Sequence, residues 1–461
     1  MRVASRALWA FFCRLFFCPC LAVVLPWARR GHLSRPGPTA VVLALPLLFL
    51  LGLPCPVAVA SFDEFADEHR PAHFELRSDK GISLAIKGEL KLGLHDIEGQ
   101  GGPEHDSATD TLTLGTRSPH VALDSFGLAL RLGFERHLNV NTLLEFTTSR
   151  AALSAVWIDF RAEAPARLFH RAELGYQTPI VALDRRSERY ALAATSFWKN
   201  PEFHLAYEGA FFFTPRVHLE LGLSVAMTRP LTFASVQETS LQSGTINLLA
   251  HGAAKSFSGN GPTLGARGRF EAFHAFVEAF GFIGRLAAQS GTDMLRSGFP
   301  NYRALDGYSS QAALHGDLYW FGGRAGFWGS RLKAFAEVIV AREDLLDRVG
   351  AYAQISYAFD LDFLGAWLRS VEPIVRLETM RILGSTDVKD GVALRSPAMI
   401  NAVSWDWNAL TAALCVEAYE DFVFLRVEYY VLIEENGVPE LGVERAPFAN
   451  NELLVQLSLR F

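Results

Sequence analysis

A regular alternation of apolar and polar residues over segments of ten or more residues constrains this chain more than any other feature. In residues 82–94, the even positions carry almost only aliphatic side chains, whereas the odd positions include Lys87 and Lys91. Successive side chains of a β-strand point to opposite faces, so a strand of this sequence has one apolar face and one charged face. The alternation therefore predicts a β-strand.

The same alternation recurs along the chain, between pieces rich in glycine, proline, serine and acidic residues that are typical of turns. The predicted strands lie at residues 82–94, 121–137, 140–148, 152–163, 167–178, 203–213, 217–227, 263–273, 274–286, 311–321, 332–341, 349–359, 372–383, 409–419, 423–433 and 453–461. The predicted turns and loops include residues 98–110, 256–262, 291–308, 384–397 and 434–447. This spacing predicts an all-β chain.

Soluble β-sandwiches also alternate, but three features favour a membrane barrel. The segments are long enough for a tilted strand to cross the hydrocarbon core, whereas soluble strands average about five or six residues. Charges facing a sandwich core would cost several kcal/mol each, but charges facing a water-filled lumen cost little. Tryptophan and tyrosine often stand near strand ends, as in the aromatic girdles of barrels. The predicted fold class is an all-β transmembrane antiparallel β-barrel of about 16 strands, within a range of about 14–18.

Residues 1–60 differ in composition from the rest of the chain and are predicted to be a cleaved secretory leader. They contain arginines and no acidic residue, and the apolar run Ala40–Leu53 has the length of a signal-peptide hydrophobic region. Ala58 and Ala60 are the small residues that signal peptidase requires, so cleavage is predicted after the second of them. A retained N-terminal anchor helix is the alternative. The predicted organisation is a leader at 1–60, a short periplasmic N-terminal segment at 61–72 and the barrel at 73–461.

Composition excludes several classes of function. Without the leader the net charge falls from −6 to about −12, and an acidic chain does not favour nucleic acid as a partner. Cys415 is the one cysteine outside the leader, so neither a disulfide nor a cysteine-based metal site is predicted. The histidines stand singly and indicate no metal site. Neither His-Glu-x-x-His nor Gly-x-Ser-x-Gly occurs, so no enzyme and no cofactor are predicted.

The last residues of the chain alternate and end in an aromatic carboxylate. This pattern resembles the C-terminal signal of outer-membrane barrels, which the barrel-assembly machinery reads as an amphipathic strand. The chain is therefore expected in the bacterial outer membrane, with lipid and the assembly machinery as partners, in a closed barrel that leaves no backbone group unsatisfied in lipid. The predicted signal residues are Val455, Leu457, Leu459 and Phe461.

Several predicted strands place a basic residue two positions from an acidic residue on their polar face, and neighbouring strands could pair these charges into ladders. The candidates for pore lining are Lys87, Glu89, Lys91, Arg131, Glu135, Arg171, Glu173, Arg376, Glu378, Arg426 and Glu428. Two interpretations stay open. The ladders keep the wall hydrated and rigid, or some of them form a constriction whose field selects ions by sign. The sequence does not identify the loop that would form such a constriction.

Four stretches of the chain resemble the phosphate-selective porin O and P family of Gram-negative outer membranes. They are Phe74–Gly93, Ala172–Arg189 with its Gly-Tyr-Gln-Thr-Pro passage, Val371–Glu378 and Asn450–Phe461. The resemblance implies a sixteen-stranded, often trimeric channel for small hydrophilic solutes. That family selects phosphate with clustered lysines on inward loops, and the acidic loops of this chain contain no such cluster.

Four functional hypotheses follow from these patterns. The first is an outer-membrane porin, a passive channel for small hydrophilic solutes or ions that catalyses no reaction. The second is a transporter for hydrophobic compounds, which would need an N-terminal plug and an apolar lumen. The third is a barrel enzyme, which would need a catalytic constellation at the outer rim. The fourth is a structural barrel with a filled interior, which at about eight strands would be smaller than predicted here.

Overall fold

The computed structural model describes most of the chain from residue 74 onwards. The described residues are 74–78, 81–97, 103–106, 111–114, 119–134, 137–147, 151–164, 168–183, 187–229, 231–235, 247–253, 262–285, 317–343, 346–361, 365, 367–383, 388–389, 392–393, 406–419, 422–435 and 451–461. The predicted leader with Ala58 and Ala60, and the predicted segment 61–72, lie outside them. Among the described residues, no helix is long and apolar enough to cross a membrane.

The described part is almost entirely β-structure, with one short helix, α1 (Leu192–Phe197). Its strands are β1 (Phe74–Arg77), β2 (Ile82–Ile97), β3 (Pro103–Asp106), β4 (Thr111–Leu114), β5 (His120–Phe134), β6 (Leu138–Phe146), β7 (Ala151–Ala164), β8 (Leu168–Gln177), β9 (Glu202–Thr214), β10 (Val217–Met227), β11 (Leu231–Ser235), β12 (Asn247–His251), β13 (Pro262–Ala272), β14 (Ala275–Arg285), β15 (Asp317–Trp328), β16 (Leu332–Glu343), β17 (Leu346–Tyr357), β18 (Phe359–Asp360), β19 (Ser370–Leu383), β20 (Val388–Lys389), β21 (Val392–Ala393), β22 (Asp406–Ala418), β23 (Val423–Glu435) and β24 (Glu452–Arg460).

Sixteen strands form a closed antiparallel barrel in which each pairs with its neighbours along the chain. The order is β2, β5, β6, β7, β8, β9, β10, β13, β14, β15, β16, β17, β19, β22, β23 and β24, and β24 pairs back to β2. Closure gives every barrel strand two hydrogen-bonding neighbours and leaves no free sheet edge. The predicted fold class and strand number are confirmed.

Each predicted strand segment overlaps one barrel strand, and the largest displacement is at β15, which was predicted at residues 311–321. Its central residues Gly322 and Gly326 have no side chain, so the alternation there is weak in the sequence. In the structure, Phe280 and Phe276 of β14 lie directly opposite these glycines and their rings occupy the space that a Cβ atom would take. The neighbouring strand therefore supplies the packing that the sequence of β15 lacks.

The two faces of the barrel wall differ as the alternation predicted. On β10, Leu221, Leu223 and Val225 are exposed on the outer face, whereas His218 and Glu220 are buried on the inner face. Aliphatic side chains on the outside of a closed barrel match the hydrocarbon of a membrane, and charged side chains on the inside need polar partners or water.

The barrel closes at the C-terminal residue. Phe461 donates its backbone N–H to the Gly88 carbonyl (2.9 Å) and accepts the Gly88 N–H at its own carbonyl (2.6 Å). Its ring covers Gly88, where a side chain would collide with it, and stacks on Phe126 with centroids 6.2 Å apart. Beyond this point, β1 continues the pairing along β2. Phe461, one of the predicted signal residues, thus pairs with β2 where the first and last barrel strands meet, which is called the seam here. Its recognition by the assembly machinery stays a prediction.

Most connections at one end of the barrel are short turns, and most connections at the other end are long. The turn between β13 and β14 consists of Phe273 (φ 52°) and His274 (φ 72°), two residues in the left-handed region that usually favours glycine or asparagine. At the other end, the connections after β8 and after β10 run into the barrel and position the candidate site.

Candidate functional site

The connection between β8 and β9 is called the inward loop here, and its described residues, 178–183 and 187–201, fold into the barrel. Val181, Ala193 and Phe197 are among its fully buried side chains. Helix α1 within it has no side-chain cap at Ala191. Instead, Glu378 of β19 accepts the Leu192 N–H at 2.6 Å, so a carboxylate of the barrel wall satisfies the first turn of the helix.

Arginines of the barrel wall hold the carbonyl groups of the inward loop. A loop buried in a protein interior must find partners for its polar backbone groups. Guanidinium groups suit this task because each offers five donors in a fixed arrangement. The three bonds run from Arg267 to the Ile180 carbonyl (2.6 Å), from Arg324 to the Val181 carbonyl (2.7 Å) and from Arg376 to the Arg189 carbonyl (2.9 Å).

Glu188, in the middle of the inward loop, binds residues of β2 and β23. Its carboxylate accepts from Lys91 Nζ of β2 at 2.9 Å and from Arg426 of β23 at 2.8 Å. Its backbone N–H donates to Glu428 at 2.9 Å. The strand order places β2 and β23 far from β13 and β15, which hold the start of the loop. The inward loop therefore crosses the barrel interior.

A second inward element, the hairpin of β11 and β12, packs against the inward loop. Arg348 of β17 joins the two elements, since it donates to both Ser196 Oγ and the Leu249 carbonyl. Ser196 Oγ also donates to that carbonyl at 2.7 Å. On the wall, Arg348 pairs with Glu343, which accepts from His251 Nε2 at 2.6 Å.

The contact of His251 with Glu343 predicts a pH dependence of stability. Burial lowers the pKa of His251 to about 4 from its usual 6.5, although Glu343 acts in the other direction. The imidazole of His251 thus binds a proton more tightly in the unfolded chain than in the folded chain. The neutral, buried His251 therefore contributes its full share to the free energy of unfolding above pH 6.5, and this share is lost as the pH falls towards 4. Protonation would also place a proton on Nδ1, which has no hydrogen-bond partner among the described residues.

We expect the free energy of unfolding, measured with urea, to fall between pH 7.5 and pH 4 in both the wild type and His251→Gln. The fall should be larger in the wild type, by up to about 3 kcal/mol. Glutamine can donate the same hydrogen bond to Glu343 but cannot take up a proton. Tryptophan fluorescence during urea unfolding at the two pH values measures the difference. Equal losses in both proteins would contradict the assignment to His251.

An apolar core fills the interior beside strands β14 to β17. Trp320 stacks on Phe282 with ring centroids 4.2 Å apart and an interplanar angle of 6°, and Phe197 of α1 stacks on Trp320 at 5.7 Å. Leu231 and Leu249 of the hairpin belong to the same cluster. Arg324 lies within this region, with both its side chain and that of Glu337 0% exposed. This side of the interior is packed without space for water around these charges.

The opposite wall, formed by β2, β5, β7 and β8, differs in burial and is called the charged wall here. Three of its inward charged side chains remain partly exposed, at 28% for Glu89, 19% for Arg161 and 16% for Arg171. Arg161 and Arg171 lie directly opposite each other on β7 and β8. Their acidic partners lie deeper, Asp159 at 1% and Glu173 at 6%, so arginine is the more accessible member of each pair.

The structure divides the predicted pore-lining residues into two groups. Arg376, Glu378 and Glu428 are buried beneath the inward loop and hold its backbone, and Lys91 and Arg426 bind its Glu188. The remaining described candidates lie on the inner face, with Glu173 buried beside Arg171 and Glu89 3.7 Å from Lys91, and Glu135 lies outside the described residues. The second group is Lys87, Glu89, Arg131, Arg171 and Glu173.

Sequence analysis missed the residues that fix the interior. Arg267, Arg324 and Arg348 lack an acidic residue two positions away on the same face, which was the pattern that identified the predicted pore-lining residues. A signal was present in the connection itself, because Tyr190–Trp198 is an apolar run between two predicted strands, which is unusual for an exposed loop. Sequence analysis also missed a group of one histidine and two glutamates on β10 and β13, formed by His218, Glu220 and Glu271.

The barrel is similar in fold to solved structures of outer-membrane channels. The outer membrane channel DcaP of Acinetobacter baumannii superposes with a TM-score of 0.51 at 9% identity, over 84% of this chain and 99% of that chain. OmpF of Salmonella typhi, in complex with daunomycin, gives 0.50 at 10% identity, over 84% and 100%. The fold is that of the outer-membrane porins. No family model matches the sequence, and no curated protein matches it.

Proposed function

We propose that the protein is an outer-membrane porin that conducts small hydrophilic solutes or ions passively along the charged wall. The difference in exposure between the two sides of the interior carries this proposal. The charged wall stays in contact with water, whereas the opposite side is a packed core. A polar solute that moves along the charged wall can therefore remain hydrated and bind polar side chains. The path is off the barrel axis, because the apolar core that the inward loop and the hairpin form occupies the side of β14 to β17.

The rival functions are a plugged transporter for hydrophobic compounds and a structural barrel without an open pore. A transporter for hydrophobic compounds would need an apolar path, and the apolar part of this interior is tightly packed around Trp320. A structural barrel would need its inner charges fully paired and dry, as they are around Arg324, but those of the charged wall are partly exposed. These contrasts favour the channel.

Several expectations accompany the proposal. We also propose, on the resemblance to the phosphate-selective porin family, that the chain belongs to that family and assembles as a homotrimer. The same resemblance suggests that the barrel-assembly machinery inserts it and that it resides in the lipid of a bacterial outer membrane. The porin fold and the exposed aliphatic outer face support residence in a membrane. The proposal includes no enzymatic reaction.

The proposal is tested by single-channel recording in planar bilayers with cysteine mapping. In a Cys415→Ser background, Arg161→Cys places a thiol on the charged wall, and Ala341→Cys places one under the apolar core. We expect stable conductance steps that a water-soluble thiol reagent reduces in the first variant only. A folded barrel that passes no current, or equal block of both variants, would refute the proposed path.

A further inference from the structure

We propose that His218, Glu220 and Glu271 form a binding site for a divalent transition-metal ion, with Zn²⁺ as the expected ion. The site lies on the inner face of β10 and β13, near the end of the barrel that carries the short turns. This inference does not rest on the channel function, because it concerns a group of ligands that would bind the ion whether or not the barrel conducts.

The strand register brings the three ligands together. His218 and Glu220 are two residues apart on β10 and therefore share its inner face. Glu271 of β13 is the direct cross-strand partner of His218. His218 Nε2 lies 2.9 Å from Glu220 Oε1 and 3.9 Å from Glu271 Oε2. The three ligand atoms lie within 4.8 Å of one another, so small side-chain rotations bring all of them to the bond length of about 2.0–2.2 Å that Zn²⁺ needs.

The charges around the site call for a cation between the ligands. Arg267 pairs with both Glu208 (2.9 Å) and Glu220 (3.0 Å), and Arg269 pairs with Glu271 (2.7 Å). Three carboxylates thus face two guanidinium groups, and the next arginine, Arg171, is shared between Glu173 and Glu208. Among these described groups, the carboxylates outnumber the guanidinium groups by one. A metal ion bound between the three ligands would balance this excess.

The ligand types indicate which metal is preferred. One imidazole nitrogen with two carboxylate oxygens suits Zn²⁺, Co²⁺, Ni²⁺ or Cu²⁺, whereas Ca²⁺ and Mg²⁺ prefer oxygen ligands alone. Three protein ligands leave at least one coordination position for water or a solute group from the lumen. The ring of Phe212 stacks on His218 with centroids 5.1 Å apart, which limits the orientations that the imidazole can take.

The test is a titration of the purified, folded full chain with Co²⁺, followed by its visible d–d absorption, and with Zn²⁺, followed by calorimetry. We expect one ion per chain, and a loss of affinity of about tenfold or more in His218→Ala and in Glu271→Gln. His204→Ala is the matched control. His204 is also buried on the inner face of a neighbouring strand, and the nearest acidic group is Glu202 at 3.9 Å. Its variant should bind like the wild type.

Two results would overturn the proposal. If the folded wild type shows no saturable binding of Co²⁺ and Zn²⁺, then His218, Glu220 and Glu271 form an ion-pair network only. Binding that is unchanged in both His218→Ala and Glu271→Gln would place the ion elsewhere. Heat-modifiable gel mobility of each variant verifies the folded barrel before titration, and Glu271→Gln keeps the test valid if His218→Ala fails to fold.

Discussion

Replacement of residues 180–199 by a short Gly-Ser linker is expected to raise the single-channel conductance at least about twofold, because these residues cross the barrel interior. The inward loop spans from Arg267 and Arg324 on one side to Lys91 and Arg426 on the other. Its removal leaves the wall charges in water, where they need no partner from the loop. Recording in planar bilayers at fixed salt measures the change.

The matched control inserts the same linker into the turn at residues 215–216, at the other end of the barrel. That turn connects β9 to β10, and the whole length of β9 separates it from the inward loop, so its variant should keep the wild-type conductance. Unchanged conductance after removal of the inward loop would mean that the narrowest part of the path lies elsewhere. The hairpin of β11 and β12 would then be the next element to remove.

Arg324→Met is expected to destabilise the protein by about 3–5 kcal/mol, since it leaves buried carboxylates without their cation. Arg324 pairs with Glu278 (3.2 Å) and with Glu337, and it also holds the Val181 carbonyl. Methionine preserves much of the volume, so the loss reports the charge and the hydrogen bonds rather than a cavity. Reversible urea unfolding in lipid vesicles, followed by tryptophan fluorescence, measures the free energy.

Arg331→Met is the matched control for this prediction. Arg331 pairs with Asp360 at 2.9 Å, but the two side chains are 58% and 47% exposed, so water screens the pair and its loss should change the stability little. A similar small loss in both variants would show that water reaches Arg324, and the packed side of the interior would then have to be placed elsewhere.

The strands and the two faces of the wall could be predicted because both are local properties. The side chains of Leu221, Leu223 and Val225 alternate with His218 and Glu220 in any extended chain, and closure then follows from the need to pair every strand edge. β15 was displaced in the prediction for a local reason as well. Its glycines erase the alternation, and Phe276 and Phe280 of the neighbouring strand replace the missing side chains.

The candidate site could be predicted only in part. The sequence identified Arg376, Glu378, Arg426 and Glu428 as inner-face charges, but it did not show that they hold a loop. Arg376, Glu378 and Glu428 have backbone partners, such as the Leu192 N–H for Glu378, and backbone groups leave no trace in a sequence pattern. The metal-ligand group was missed for the same kind of reason, because Glu271 is distant from His218 along the chain and meets it only through strand register.

The sequence by itself determined that the chain forms a barrel, which residues face outwards and how the chain closes on Phe461. These properties follow from side-chain direction, which repeats every two residues, and from the backbone's need for hydrogen bonds. Only the tertiary structure decided which connection folds inwards and which charges stay hydrated. That choice depends on contacts between distant residues, Arg324 with Val181 and Arg348 with Leu249, and their energies exist only once the barrel has brought these groups together.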